Sequence, residues 1–349
     1  MHILALPLLL SSGAARSLLT RAELRGSLQR QAVALRNEPH SFLSSYSCPA
    51  VWGPPTWFFL HSITLALPLD VPVHKQLHLQ NLMASLRQIL PCKPCGERLA
   101  TMLDEHPLEP HLTTRDGMVH WMLELHNAIN GPLGRSYMSK AHVIDLYNEA
   151  FARNSTRKYL AVIGNPSGSA NVSDKVSGTL HSPAHYKDPR VWGPPAWFFL
   201  HSVTLALPEA VPPADQAALT KLMVAIQGLL PCEPCEQHLA EHMIKLPIES
   251  RLSSGTQMVR WMLDIHNLVN IATGTRVRNV FELWALYNRA YGVGAETSKR
   301  YLEVIGKPFS VPDADVIVRP GDCNPNGAGG HPRAAFALLT TMFWSFVFL

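Results

Sequence analysis

Apolar residues recur at helical spacing along this chain. Leu79, Leu82, Met83, Leu86 and Leu90 fall on one stripe of the segment Leu77 to Leu90. Met118, Met122, Leu125 and Ile129 do the same over Met118 to Ile129. Steps of three and four residues place side chains on one helical face, which must be buried against another element. No stretch alternates convincingly with period two, so strands are not expected.

The same pattern occurs twice. VWGPPTWFFLHSITLALP (Val51 to Pro68) returns as VWGPPAWFFLHSVTLALP (Val191 to Pro208), with 16 of 18 positions identical. Val51 recurs as Val191, an offset of 140, and the offset holds without a gap through Cys92/Cys232, Trp121/Trp261, His126/His266 and Tyr147/Tyr287. Each unit is long enough to fold as a domain and too long for a solenoid repeat. Four or five short helices per unit imply an all-α fold of two tandem helix bundles. The units are expected at 48–166 and 190–308, joined by a Ser/Gly/Pro/Asn/Asp-rich linker at 167–189. A tail at 309–333 reads as disordered.

The ends break the pattern. Ile3 to Leu10 is apolar and is followed by small residues at Ser12 to Ala15, which reads as a secretory signal over 1–15. Arg16, Arg21, Arg25, Arg30 and Arg36, with only Glu23 and Glu38 as acids, keep a mitochondrial presequence as the alternative, which would lead to the intermembrane space. Residues 334–349 are uncharged and largely apolar after a Gly-rich stretch. They read as a membrane anchor or a GPI-attachment signal. The sequons at Asn154 and Asn171 suit glycosylation on the secretory route and a place at the cell surface.

A formal charge of +4, 16% charged residues and no long basic run leave nucleic acid binding without support. Six cysteines are too few for a disulfide scaffold of this length, and four of them form Pro91-Cys92-Lys93-Pro94-Cys95 and Pro231-Cys232-Glu233-Pro234-Cys235. Two sulfurs at this spacing suit an exchanging disulfide at a helix start, where the helix dipole raises the thiolate fraction. They also suit a zinc half-site, so the pair alone leaves a zinc-bound or non-catalytic binding module open.

The neighbours separate the readings. Trp57 and His61 recur as Trp197 and His201, and His126, Asn127 and Asn130 recur as His266, Asn267 and Asn270. An aromatic, two imidazoles and two amides beside a dithiol suit a planar, hydrogen-bonding cofactor, and zinc needs neither amides nor tryptophan. Any one of these residues alone would more often be an ordinary buried side chain. The set recurs whole.

W-G-P-x-x-W-x-x-L-H, then P-C-x-x-C, then W-x-x-x-x-H-N-x-x-N resembles the pattern of the Erv/ALR FAD-linked sulfhydryl oxidases, and it does so in both units. The resemblance implies a four-helix bundle with a short fifth helix in each unit. It implies FAD as cofactor and no metal. It implies oxidation of thiol-containing proteins or small dithiols, with electrons passing through C-x-x-C to flavin and then to oxygen, giving hydrogen peroxide. Cys95 and Cys235 would be the flavin-proximal sulfurs, and Cys92 and Cys232 those attacked by incoming thiols. Trp57, His61, His126, Asn127, Asn130, Arg135 and Tyr147 would line the first FAD site, and Trp197, His201, His266, Asn267, Asn270 and Tyr287 the second. Thr275 stands at the position of Arg135. Family members often dimerise through the bundle, so the two units are expected to pair within the chain or across a homodimer. A structural disulfide found in many members is absent, since Leu123, Lys140, Leu263 and Val280 occupy its positions. Cys48 and Cys323 do not form the extra C-x-x-C shuttle of other members, which favours direct oxidation of substrate.

Overall fold

In the computed structural model, the described residues are 45–133, 137–152 and 177–291. Arg135, Cys323, both sequons, the N-terminal segment and the apolar C-terminal segment lie outside them. The described residues form ten α-helices, five in each unit, and no strand. Residues of both units belong to one compact body.

Helix α1 (Pro49–Ala66) is buried on nearly all sides. Its residues carry almost no charge, so it occupies the centre of the first unit. Pro54 and Pro55 lie inside it, past the first turn, and each removes one helical N–H donor. It stops at Leu67, which precedes Pro68 and is driven out of the α region. Helix α2 (Val73–Ile89) buries Leu79, Leu82, Met83, Leu86 and Ile89. The apolar stripe extends to Leu90, but Leu90 precedes Pro91 and leaves the helix at ψ 142.

Helix α3 (Lys93–Glu105) starts at the first dithiol, with Cys92 as N-cap. Helix α4 (Arg115–Asn130) is capped by Thr114, whose hydroxyl accepts from the Gly117 N–H at 3.1 Å. The α1–α2 turn is tied to the start of α4 by the Val71 N–H donating to the Thr113 carbonyl at 2.9 Å and the Arg115 N–H donating to the Leu69 carbonyl at 3.0 Å. Helix α5 (Lys140–Phe151) is the short fifth helix.

The second unit repeats this order as α6 (Pro189–Leu205), α7 (Pro213–Gln227), α8 (Glu233–Lys245), α9 (Gly255–Ala272) and α10 (Val280–Ala290). The units meet on equivalent helices: α1 packs on α6, and α2 on α7. Equivalent helices facing each other give the pairing a pseudo-two-fold character. The described end of the expected linker is part of this packing. Its 3₁₀ turn Pro183–Tyr186 packs on α1 and α5, and Tyr186 is fully buried.

Candidate functional site

In each unit the dithiol opens a helix. Cys92 is joined to Cys95, and Cys232 to Cys235, each pair closed as a disulfide. The Cys95 N–H points at the Cys92 sulfur at 3.3 Å, and Cys235 repeats this with Cys232 at 3.3 Å. Both sulfurs therefore sit where the helix dipole favours a thiolate. Cys92 is buried, with 4% of its surface exposed, whereas Cys95, Cys232 and Cys235 are half-buried.

The aromatic and polar residues converge from different helices. Trp57 of α1 stacks on His126 of α4 with ring centroids 3.9 Å apart and planes 11° apart. Trp197 stacks on His266 at 4.0 Å and 6°. One helical turn beyond Trp57, His61 Nε2 lies 3.1 Å from His126 Nδ1, and His201 Nε2 lies 2.9 Å from His266 Nδ1. One ring donates and the other accepts, an arrangement that two neutral imidazoles make. Burial pushes the His61 pKa down to about 3. Burial, with a smaller contribution from Arg278, pushes His266 down to about 4. Burial and the neighbouring His266 hold His201 well below the usual histidine range.

Tyr147 of α5 is buried beside His61, with ring centroids 5.6 Å apart, and its hydroxyl donates toward the carbonyls of Trp57 and Phe58 at 3.4 Å. Tyr287 occupies the same place beside His201 at 5.7 Å.

The asparagines divide their work. Asn127 donates to the Met138 carbonyl at 2.9 Å and accepts from the Met138 N–H at 3.0 Å. Asn267 makes the same pair with Arg278, at 2.8 and 3.0 Å. Each of these amides fixes the connection into the fifth helix. Asn130 is buried in turn, and its side-chain oxygen has no partner among the described residues. A buried acceptor left open costs free energy unless a ligand or water fills it.

Two cavities meet at Trp57 in the first unit. The larger, partly open to solvent, is almost wholly apolar and is lined by Trp52, Thr56, Trp57, Leu60, Cys95, Arg98 and Leu125. The smaller, also partly open, is lined by Trp57, Phe58, His61, His126, Val143 and Tyr147. A flat ring system with a polar edge and a second planar ring fits this pair. The larger cavity gives the ring an apolar slot against Cys95, and the smaller offers aromatic walls and imidazoles. Of the first-unit residues singled out in the sequence, Trp57, His61, His126, Tyr147 and Cys95 come together here. Trp52 and Leu60 stand in the W-G-P-x-x-W-x-x-L-H pattern without an expected site role, Thr56 fills one of its unspecified positions, and Arg98 stands outside every motif. Trp52 was legible as Trp192 one repeat later, and Arg98 follows Cys95 at i, i+3 on one helix face.

A family model described as the Erv1 / Alr family matches residues 54–148 and 194–285, together more than half of the chain. A probable FAD-linked sulfhydryl oxidase of Acanthamoeba polyphaga mimivirus is 34% identical over 90 residues, covering 26% of this chain and 63% of that protein. The mitochondrial FAD-linked sulfhydryl oxidase erv1 of Schizosaccharomyces pombe is 26% identical over 83 residues, covering 24% of this chain and 46% of that protein. The FAD-linked sulfhydryl oxidase ERV1 of Oryza sativa subsp. japonica is 31% identical over 84 residues, covering 24% of this chain and 42% of that protein. The chain thus spans less than two thirds of the length of these relatives. No solved structure matches it.

Proposed function

Because this chain belongs to the Erv1/Alr family, we propose that it is an FAD-linked thiol oxidase with one reaction centre in each unit. The observation that carries this reading is that Cys95, half of a helix-capping disulfide, lines the same apolar cavity as Trp57. The dithiol left when this disulfide has oxidised a substrate needs a partner that takes two electrons, and a flavin in this cavity would lie beside Cys95.

The chain's residues would act as follows. A substrate thiolate attacks the Cys92 sulfur, the S–S bond breaks, and Cys95 leaves as a thiolate stabilised at the start of α3. A second substrate thiolate attacks the substrate sulfur of this mixed disulfide, releasing the substrate disulfide and leaving both cysteines reduced. FAD, when bound, would supply the two-electron acceptor for re-forming the Cys92–Cys95 bond, with oxygen as the final acceptor and hydrogen peroxide as the product. Trp57, His126, His61 and Tyr147 would hold the planar groups and keep water out, Asn130 would offer its open carbonyl, and Asn127 would hold the rim of the site. Arg135 would approach the same cofactor. In the second unit, Cys232, Cys235, Trp197, His201, His266, Asn267, Asn270 and Tyr287 would take these roles. Thiol-containing proteins or small dithiols would be the substrates.

The stacked ring pairs and closed disulfides recur in both units, which supports two working centres. The apolar start and the sequons support a secretory route. The fission yeast relative is named mitochondrial, which supports the alternative compartment. Among the described residues no helix is long and apolar enough to cross a membrane. The direct test is the purified protein's visible spectrum together with oxygen uptake on a small dithiol. Close to two flavins per chain and peroxide formation are expected. A colourless protein that takes up no added FAD would exclude the reading. A glycosidase that removes N-glycans should lower the gel band if the route is secretory.

A further inference from the structure

The contacts between the two units are not symmetric, although the helices that make them are. Lys75 of α2 donates to Glu236 at 2.5 Å and to the Gly228 carbonyl at 3.0 Å. At the offset of 140, Lys75 becomes Asp215, Gln88 becomes Gly228 and Gly96 becomes Glu236. On the other side of the pseudo-axis, Gln88 accordingly donates to Asp215 at 2.6 Å. Size is matched as well as charge. The His78 ring lies so close to Gly228 that a Cβ there would come within 2.4 Å of it. The equivalent pair across the axis is Ala218 and Gln88, small against large.

We infer that this interface selects the pairing of unlike units, first with second, and rejects like pairing between two copies of the chain. Two first units would bring His78 against Gln88, so that the ring must turn out of its place, and would leave Lys75 without its carboxylate. Two second units would bring Asp215 against Glu236, with no cation between them. Only the unlike pair satisfies both faces. Discrimination of this kind needs repulsion in the wrong complex as well as attraction in the right one. The tether helps by keeping the correct partner at high effective concentration. The chain therefore closes on itself and leaves no like face free for a second copy.

Two independent exchanges in the full-length protein test this, read by light scattering and by the thermal unfolding midpoint. The wild type is expected at the mass of one chain. Glu236→Lys sets two cations face to face, and Gly228→Gln overfills the His78 contact. Each should lower the midpoint by at least about 3 °C, the scale expected for a chain of this size. Adding Lys75→Glu to the first and His78→Ala to the second should recover at least half of each loss. The inference is overturned by single variants that leave the midpoint unchanged, by double variants that recover nothing, or by a wild type at two chains whose second units cross-link to each other. Midpoints are compared at one fixed FAD concentration and neither readout requires turnover, so failure here is distinct from failure of the oxidase reading.

Discussion

Tyr186, just ahead of the second unit, donates its hydroxyl hydrogen to the Asn148 side chain of the first at 2.6 Å, one residue from Tyr147. The contact has a mate: Tyr46, ahead of the first unit, hydrogen-bonds to Asn288, one residue from Tyr287. Each unit thus sends a tyrosine to brace the helix that carries the other unit's site tyrosine. Pairing and site geometry share these residues.

Tyr186→Phe is therefore expected to act at a distance from the dithiols. It removes a buried hydrogen bond and should cost about 1 kcal/mol of stability. It should also weaken flavin binding in the first unit more than in the second. Flavin release on dilution, followed by fluorescence in the backgrounds Trp57→Ala and Trp197→Ala, reads the two sites apart. Equal weakening of both sites would show that the brace is not local.

Those two tryptophan variants carry an expectation of their own. Each stacked pair belongs to one unit, so Trp57→Ala and Trp197→Ala should each remove about one flavin per chain, and the double variant both. A single variant that loses all flavin would mean that the two centres do not fill independently.

Burial holds His61 near 3 and His266 near 4, while in the unfolded chain both titrate near 6.5. Between those values the unfolded state binds more protons than the folded state, so stability falls as pH falls. The stabilisation is complete above pH 6.5 and is lost progressively toward pH 3 to 4. For His61 alone the loss at pH 5 is on the order of 2 kcal/mol. Urea unfolding at pH 7.5 and pH 5 should show the drop, and His61→Gln should reduce it. An equal drop in wild type and His61→Gln would remove the histidine pair as its cause.

The two cysteines proposed as the points of substrate attack differ in exposure. Cys92 is buried and Cys232 half-buried. A small dithiol should use both centres, whereas a reduced folded protein should be oxidised faster through the second. With Cys232→Ser, turnover of the protein substrate should fall well below half, and that of the small dithiol to about half. Equal losses on both substrates would show that the exposure difference has no kinetic weight.

Much of this was legible in the sequence because it is local or because it repeats. The stripes of α2 and α4 gave the helices, and Thr114, Pro91 and Asn130 mark boundaries that periodicity leaves open by a few residues. The dithiol's place at a helix start follows from proline and spacing. Contacts between distant residues were not legible. Nothing in periodicity says that Trp57 lies flat on His126, or that the two histidines touch. The resemblance places Asn127 in the lining of the first FAD site, and only the fold shows both its polar atoms engaged by the Met138 backbone. Tyr186 falls in a polar stretch that reads as linker, yet it is fully buried, because its partners come from the other unit. Extending the repeat upstream of Val51 would have paired it with Tyr46.

The central claim is that electrons enter the flavin through Cys95 and Cys235. Anaerobic mixing of the purified protein with a small dithiol, followed in the flavin absorption band, tests it most directly. The wild type should bleach fully, and Cys95→Ser/Cys235→Ser should keep its flavin and its colour, with bleaching slowed at least a hundredfold. Bleaching at the wild-type rate in that double variant would contradict the account.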